Sequence, residues 1–521
     1  MRKTYQYQVG KKTLRKEYSY IPLRYLWAGL ISAVEILLII GLVVAFCYHF
    51  RFFYLLCYIL QLGTVLHIIA SDDNPDYKVP WLVVVILLPI VGFMLYAMFY
   101  SRKLKKKYVG HLKQLEQYHY QKDSTAAKEA LEKENPLVAS HARMLTSSAG
   151  AHLFFAQKQT YFSSGEEMRT AMMQDLKSAE AFIFLEYFII EEGVFWNGIL
   201  EVLKEKAKNG VTVRVLYDDI GCMTTLPGNY AKALRQFGIE ACPFSRLKGS
   251  ADNEFNNRSH RKILVIDGKI GYTGGVNLAD EYINQRPRFG HWKDTGIRIE
   301  GESVWEMTKL FLFDWGMNQK TLPNDPFPLY PENKAEISPG YIIPFGDGPR
   351  PLFSHRVSKS VIQNMLGCAK ESMYMTTPYL IIDNDLCTDI ENTALRGVDV
   401  RIVLPHIPDK RLVFEISRSY YERLMRAGVK IYEYAPGFLH AKSYLVDGNY
   451  ALLGTVNLDY RSLVHHFENG VWMYGCSAIQ DLAADIEDTL SKSIEITPDL
   501  LKTNVFTRFI RSVVRFFAPM L

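Results

Sequence analysis

The sequence predicts an α/β protein made of two similar repeats that share one cleft, preceded by membrane-spanning helices. Three observations carry this. Short β-branched runs alternate with amphipathic runs. One set of polar residues occurs twice at identical spacing. Three long apolar stretches crowd the first 100 residues.

The alternation is clearest where Gly198-Ile-Leu-Glu-Val-Leu-Lys204 (helical spacing) precedes Thr212-Val-Arg-Val-Leu216 (strand-like). Helix–strand alternation favours a sheet covered by helices. With 521 residues, 48% apolar and 13% aromatic, the chain can bury more than one core, which excludes a mostly disordered protein. A net charge of +5 is no nucleic-acid signature, for which a concentrated basic face is needed, but it suits an anionic bilayer. The seven cysteines are odd in number and include no Cys-x-x-Cys, so neither a disulfide framework nor a structural zinc site is expected.

The apolar stretches run over about 26–50, 52–70 and 79–100, each close to the ~20 residues that cross a hydrocarbon core as a helix. A cleaved signal peptide does not fit, because the first stretch begins late, is too long and is followed by two more. Basic residues flank the region on both sides: Arg2, Lys3, Lys11, Lys12, Arg15, Lys16 and Arg24 before it, and Arg102, Lys103, Lys105, Lys106 and Lys107 after it. Between the second and third stretches lie Asp72, Asp73 and Asp76. The positive-inside rule places basic clusters in the cytosol. Three full crossings cannot satisfy both clusters, so two or three spans remain open. The acidic loop and the later cluster bracket the third stretch, and this pair predicts the loop outside and the bulk of the chain in the cytosol. Residues 101–150 read as a partly helical linker.

Beyond it the chain repeats. Gly210-Val-Thr-Val-Arg-Val-Leu216 is similar to Gly397-Val-Asp-Val-Arg-Ile-Val403. His260, Lys262, Asp267, Gly274 and Asn277 then recur as His440, Lys442, Asp447, Gly454 and Asn457, every offset preserved and the two copies 180 residues apart. The expected repeats span 151–335 and 336–498, with a basic amphipathic tail at 499–521.

On a strand, residues two apart share a face, so each His stands beside its Lys. Across one cleft the two copies present two imidazoles, two ammoniums and two carboxamides. That set suits a phosphodiester: the lysines, with Asn277 and Asn457, can hold the non-bridging oxygens. One histidine can attack phosphorus while the other protonates the leaving oxygen. No metal or other cofactor is required, because the lysines supply the charge. A catalytic histidine also needs its other nitrogen held, and Asp294 and Glu468, about thirty residues downstream of each, are the candidates. Asp267 and Asp447 head Asp-Gly turns, a placement that favours bracing the motif over touching substrate. His291, His406, His465 and His466 have no counterpart in the other copy and read as ordinary histidines.

At these residues the chain resembles the phospholipase D superfamily, whose hallmark is the doubled His-x-Lys-x4-Asp motif, over roughly Ala151 to Ile496. Within it, the chain is similar to bacterial cardiolipin synthases, also in Pro80-Trp-Leu, Pro89-Ile-Val-Gly92, Tyr217-Asp-Asp-Ile-Gly221, Trp292-Lys-Asp-Thr295 and Asn457-Leu-Asp-Tyr-Arg-Ser462. The resemblance implies that two phosphatidylglycerol molecules become cardiolipin and glycerol through a phosphohistidine, without metal. It implies a catalytic set of His260, Lys262, Asp267, His440, Lys442 and Asp447, with His260 favoured as nucleophile and His440 as acid and base. Typical relatives have two spans, which makes the first stretch an extra one.

Other readings use the same machinery: a phospholipase D-type hydrolase that transfers to water, a phosphatidylserine synthase, or a nuclease. The spans argue against the last, and nucleic acid is not an expected partner. A non-catalytic membrane scaffold is disfavoured by intact His and Lys in both copies. In the tail, Arg508, Arg511 and Arg515 fall near one helical face among phenylalanines, which fits a membrane-surface helix and a helix packed on the domain equally.

Overall fold

Runs such as Lys262-Ile-Leu-Val-Ile266 show no polar alternation, and they need cover on both faces of their sheet. This computed structural model supplies it. It describes residues 2–9, 12–19, 23–49, 51–99, 124–246, 256–319, 336–350, 352–353, 355–502 and 504–520.

The first sheet has seven strands, in the order Gln159–Phe162, Gly296–Glu300, Ile270–Gly274, Lys262–Ile266, Phe182–Tyr187, Thr212–Asp218 and Glu240–Phe244. The last three are mutually parallel and the other pairings antiparallel. The second sheet repeats this order with Tyr341–Asp347, Glu468–Tyr474, Tyr450–Gly454, Ser443–Val446, Ser372–Thr376, Asp399–Pro405 and Lys430–Tyr434. It adds Ser493–Glu495 at one end and Phe154–Phe155 at the other.

Period-two alternation decides what each strand residue faces. Phe182, Phe184, Ile263 and Val265 of the first sheet join Leu445, Leu453 and Val471 of the second in one core between the sheets. Helix Val304–Gln319 shares that core, with Phe311 stacked on Phe184 at 4.6 Å. Ile183, Leu185, Leu264 and Ile266 face the other way, onto helices Gly165–Ser178 and Val194–Lys208. The second sheet's outer core lies under helices Val357–Cys368, Asn384–Leu395 and Arg411–Arg426. Helices Thr125–Glu134 and Pro136–Ala149, inside the expected linker, pack on this core through Leu131 and Leu145.

The N-terminal region consists of helices α1 (Leu23–His49), α2 (Arg51–Ala70), α3 (Pro75–Leu87) and α4 (Pro89–Phe99). Among the described residues one helix, Phe52–Ala70, is long and apolar enough to cross a membrane by itself. The expected third span is not continuous. Pro89 has no N–H and disfavours helical geometry at Leu88, whose φ and ψ are −120° and 74°. The chain doubles back there: a Cβ on Gly92 would lie 2.5 Å from the carbonyl oxygen of Val84. The carbonyl of Val85, which a residue other than proline at 89 would have satisfied, accepts instead from Gln61 Nε2 at 2.8 Å.

The acidic loop also departs from expectation. Predicted to lie across the membrane from the repeats, it bonds to them. Asn74 Nδ2 donates to Asp383 (2.9 Å), and Asp76 accepts from the amide of Asn384 (2.6 Å) and from Tyr460 Oη (3.3 Å). Local charge counting missed this because these polar groups serve helix capping and docking: Asn74 itself caps α3. An N-terminal hairpin, Arg2–Val9 with Lys12–Ser19, lies against helix Val194–Lys208 of the first repeat.

Candidate active site

Both His-x-Lys segments are held by strands of the other repeat. Ser259 bridges in parallel to Phe467, and the amide of His260 donates to the carbonyl of Phe467 at 2.8 Å. In the mirror arrangement Gly437–Leu439 pairs with His291–Lys293, and the amide of His440 donates to the carbonyl of Lys293 at 2.7 Å. The motif histidines therefore sit just ahead of their sheet strands, where the two repeats meet.

This crossing decides which carboxylate meets which imidazole. Glu468 holds Nδ1 of His260, with both oxygens at 3.0 Å, and Asp294 holds Nδ1 of His440 at 2.7 Å. Each carboxylate is downstream of one histidine and bonds to the other. All four groups are buried. Burial alone would raise Glu468 and Asp294, but the facing histidines hold both below the ordinary carboxylate range. The carboxylates are therefore ionised and accept, so Nδ1 of each histidine donates and Nε2 keeps its lone pair. Burial, reinforced by the neighbouring lysines, pulls His260 down to about 3 and His440 to about 4, so both rings are neutral.

Lys262 and Lys442 are both buried, and the carboxylates of Glu468 and Asp294 offset only part of the cost of their charge. Each Nζ donates to the main-chain carbonyl of its own motif histidine. Burial lowers Lys262 to about 7, helped by repulsion from Lys442, and lowers Lys442 to about 8. A buried ammonium pair in this condition gains most from an incoming anion, which a phosphodiester supplies.

The remaining expected site residues are placed differently. Asn277 engages both ends of its amide within its repeat, with Oδ1 accepting from the amide of Ile189 (3.0 Å) and Nδ2 donating to Tyr282 Oη (2.7 Å). Asn457 donates to Asp459 at 3.0 Å, while its buried Oδ1 lacks a partner among the described residues. Asp267 and Asp447 are apart from the histidines, at hairpin turns with φ of 52° and 48°. Asp267 accepts the amides of Glu180, Ala181 and Phe182 at 2.7–2.8 Å. Asp447 accepts those of Lys370, Glu371 and Ser372, with shortest distances of 2.8–3.0 Å.

Several neighbours escaped the sequence reading. Thr455 Oγ1 and Ser462 Oγ both donate to Glu468, the latter at 2.5 Å. Gly275 occupies the equivalent position to Thr455, and a Cβ there would overlap Oδ1 of Asp294. His466 is buried with its ring centroid 5.7 Å from that of His260, and neither ring nitrogen has a hydrogen-bond partner among the described residues. Aligning His291-Trp-Lys-Asp294 with His465-His-Phe-Glu468 puts His466 opposite Trp292, which packs 5.4 Å from His440. Ligand atoms of His260, His466 and Glu468 lie within 4.8 Å of one another, a spacing that a divalent cation could use.

The comparisons agree with this geometry. The family described as "Cardiolipin synthase, PLD-like domain" matches residues 172–302 and 362–490, and "Phospholipase_D-nuclease N-terminal" matches 59–99. A cardiolipin synthase of Alkalihalophilus pseudofirmus is 35% identical over 461 residues, covering 87% of this chain and 91% of its own. One from Geobacillus kaustophilus is 35% identical over 476 residues, covering 89% and 92%. The crystal structure of a phosphatidylserine synthase from Haemophilus influenzae shares the fold at 16% identity, with a TM-score of 0.55 over 73% of this chain and 99% of that one. With both halves of the doubled motif inside the matched segments, the chain belongs to the cardiolipin synthase family of phospholipase D-like proteins.

Proposed function

We propose that this chain joins two phosphatidylglycerol molecules into cardiolipin and releases glycerol. One observation carries the proposal: two neutral imidazoles, each anchored through Nδ1 by an ionised carboxylate, share a buried site with two lysines whose charge burial disfavours. Nε2 of His260 attacks phosphorus of the first lipid, and the bond to its head-group glycerol breaks as His440 gives that oxygen a proton. A hydroxyl of the second lipid then attacks the phosphohistidine while His440 takes the proton back, and His260 leaves. The phosphodiester anion itself favours the imidazolium of His440 that the first step requires, against the burial that opposes it. Lys262 and Lys442 stabilise the equatorial oxygens of both transition states. The unengaged carboxamide oxygen of Asn457 can accept from a glycerol hydroxyl but not from a phosphate oxygen, itself an acceptor, and its Nδ2 is engaged by Asp459.

The same reading extends to topology. If α1 and α2 both cross and the α3–α4 hairpin only dips in, both basic clusters fall on one side, the cytosolic one. The acidic loop and the N-terminal hairpin, both in contact with the repeats, support this arrangement.

Reconstituted protein supplied with phosphatidylglycerol alone should release glycerol and cardiolipin in equal amounts. Phosphatidic acid in place of cardiolipin would overturn the transferase reading. Full activity in a strong chelator is expected; loss restored only by a divalent ion would reassign His260, His466 and Glu468.

A further inference from the structure

Helix Val505–Phe517 presents the face that a soluble protein would hide. Its basic side turns inward: Arg511 pairs with Glu415 at 2.8 and 2.6 Å, and the guanidinium of Arg515 lies 4.9 Å over the ring of Tyr420. Both partners belong to helix Arg411–Arg426. Val505, Phe506, Phe509, Ile510, Val513 and Phe516 form one continuous arc on the opposite side, and all six are exposed, Phe506 by 72% and Phe509 by 62%. Apolar patches of this kind on a folded protein mark an interaction surface.

What covers the arc follows from where the helix ends. Ala518 and Pro519 are buried, and the turn Ala518–Met520 runs onto α3. Met520 packs on the cluster of Ile68, Tyr77, Trp81, Val85 and Tyr96, which belongs to the membrane helices. The exposed arc is therefore continuous with the membrane-embedded surface. At ~1.5 Å per residue, 13 residues reach about 20 Å, too short to cross a ~30 Å hydrocarbon core but suited to lying along its boundary.

We propose that the apolar face of Val505–Phe517 lies in the membrane interface beside the α3–α4 hairpin and, through helix Arg411–Arg426, sets the height of the cleft above the lipid. The link to the cleft is short. Ser417 of that helix accepts the amide of Leu380 at 3.1 Å, and Leu380–Ile381 pairs with Leu458–Asp459, next to Asn457. The occupant is a lipid surface, and the inference rests on the membrane reading of the N-terminal helices, not on the identity of the reaction.

The test uses the full chain with p-benzoylphenylalanine replacing Phe509, reconstituted in vesicles of phosphatidylglycerol and phosphatidylcholine. Irradiation should give a lipid adduct detectable by mass. The same probe at Val514, which packs on the second repeat's core, should instead cross-link within the chain. A dimer band from position 509, or no lipid adduct there, would overturn the proposal. A second arm compares Phe506→Asp/Phe509→Asp with the parent. Transfer in vesicles should drop at least about tenfold while transfer in mixed micelles is unchanged. Unchanged transfer in vesicles, or an equal loss in both media, would overturn it regardless of which lipid product forms.

Discussion

The two halves of the site share one topology and differ in what surrounds each histidine. His260 lies between two buried arginines. Arg258 forms a bidentate pair with Asp218, and Arg261 bonds to Asp314 (2.5 Å) and to the carbonyl of Glu468 (3.1 Å). His440 lies between Leu439 and Ala441, among the rings of Trp292, Phe438 and Tyr282, with centroids 5.4–5.9 Å away. The carboxylate behind His260 takes two hydroxyl donors and has His466 as a neighbour, whereas the one behind His440 is packed against Gly275. Duplication supplied a two-fold site, and divergence left one half clamped by polar contacts, with the ring of Phe188 at 5.2 Å, and surrounded the other with three aromatic rings. A nucleophile that must remain in place while bonded to phosphorus fits the first. A proton carrier whose charge the bound anion controls fits the second.

The largest effects should come from the histidines. His260→Asn and His440→Asn should each lower kcat by a factor on the order of 10⁴–10⁶. They should differ in what accumulates. With phosphate-labelled lipid, His440→Asn should retain acid-labile label on the protein, and His260→Asn none. Label on His260→Asn would exchange the roles of the two halves.

The second layer comes next. Gly275→Ala drives a methyl into Asp294 and should reduce kcat about 100-fold by misplacing His440. Thr455→Val removes one of two hydroxyl donors from Glu468 and should cost about tenfold, since Ser462 remains. Equal losses would remove the asymmetry argued above.

Much of this was legible in the sequence because it is local. The five conserved offsets, the strand runs and the Asp-Gly turns each sit within a few residues. What was not legible is long-range. Asp294 and Glu468 were identifiable as candidates, yet their exchange between repeats depends on how Phe467 and Lys293 pair with the opposite motif. The third apolar run read as one span because hydropathy averages do not register the missing N–H of Pro89. His466 looked ordinary because its counterpart is a tryptophan, not a histidine.

Asp267 and Asp447 separate support from chemistry. Each accepts three backbone amides at a left-handed turn, so replacement by Ala orphans those donors and should lower stability by about 2–3 kcal/mol at Asp267, and by less at Asp447, where the amides of Lys370 and Glu371 are exposed to water. Thermal unfolding would read the loss, and the folded fraction should keep kcat within a few-fold. A catalytic defect as deep as that of His260→Asn, without a fall in stability, would restore both aspartates to the chemistry.

The smallest effect concerns the lysines, and its sign follows from their displacement. A lysine is charged below its pKa. Lys262, at about 7, discharges before Lys442, at about 8, as pH rises. Phosphatidylglycerol, an anion, then meets less positive charge, so KM should climb about tenfold between pH 7 and 9. Bound phosphate restores the charge, so kcat should vary less over the same range. Lys262→Arg keeps a cation throughout and should flatten the lower part of the rise, whereas Lys442→Arg should flatten only the upper part. A KM that is independent of pH in the parent protein would show that the lysines are fully charged before substrate arrives, and the two halves would then be electrostatically equivalent.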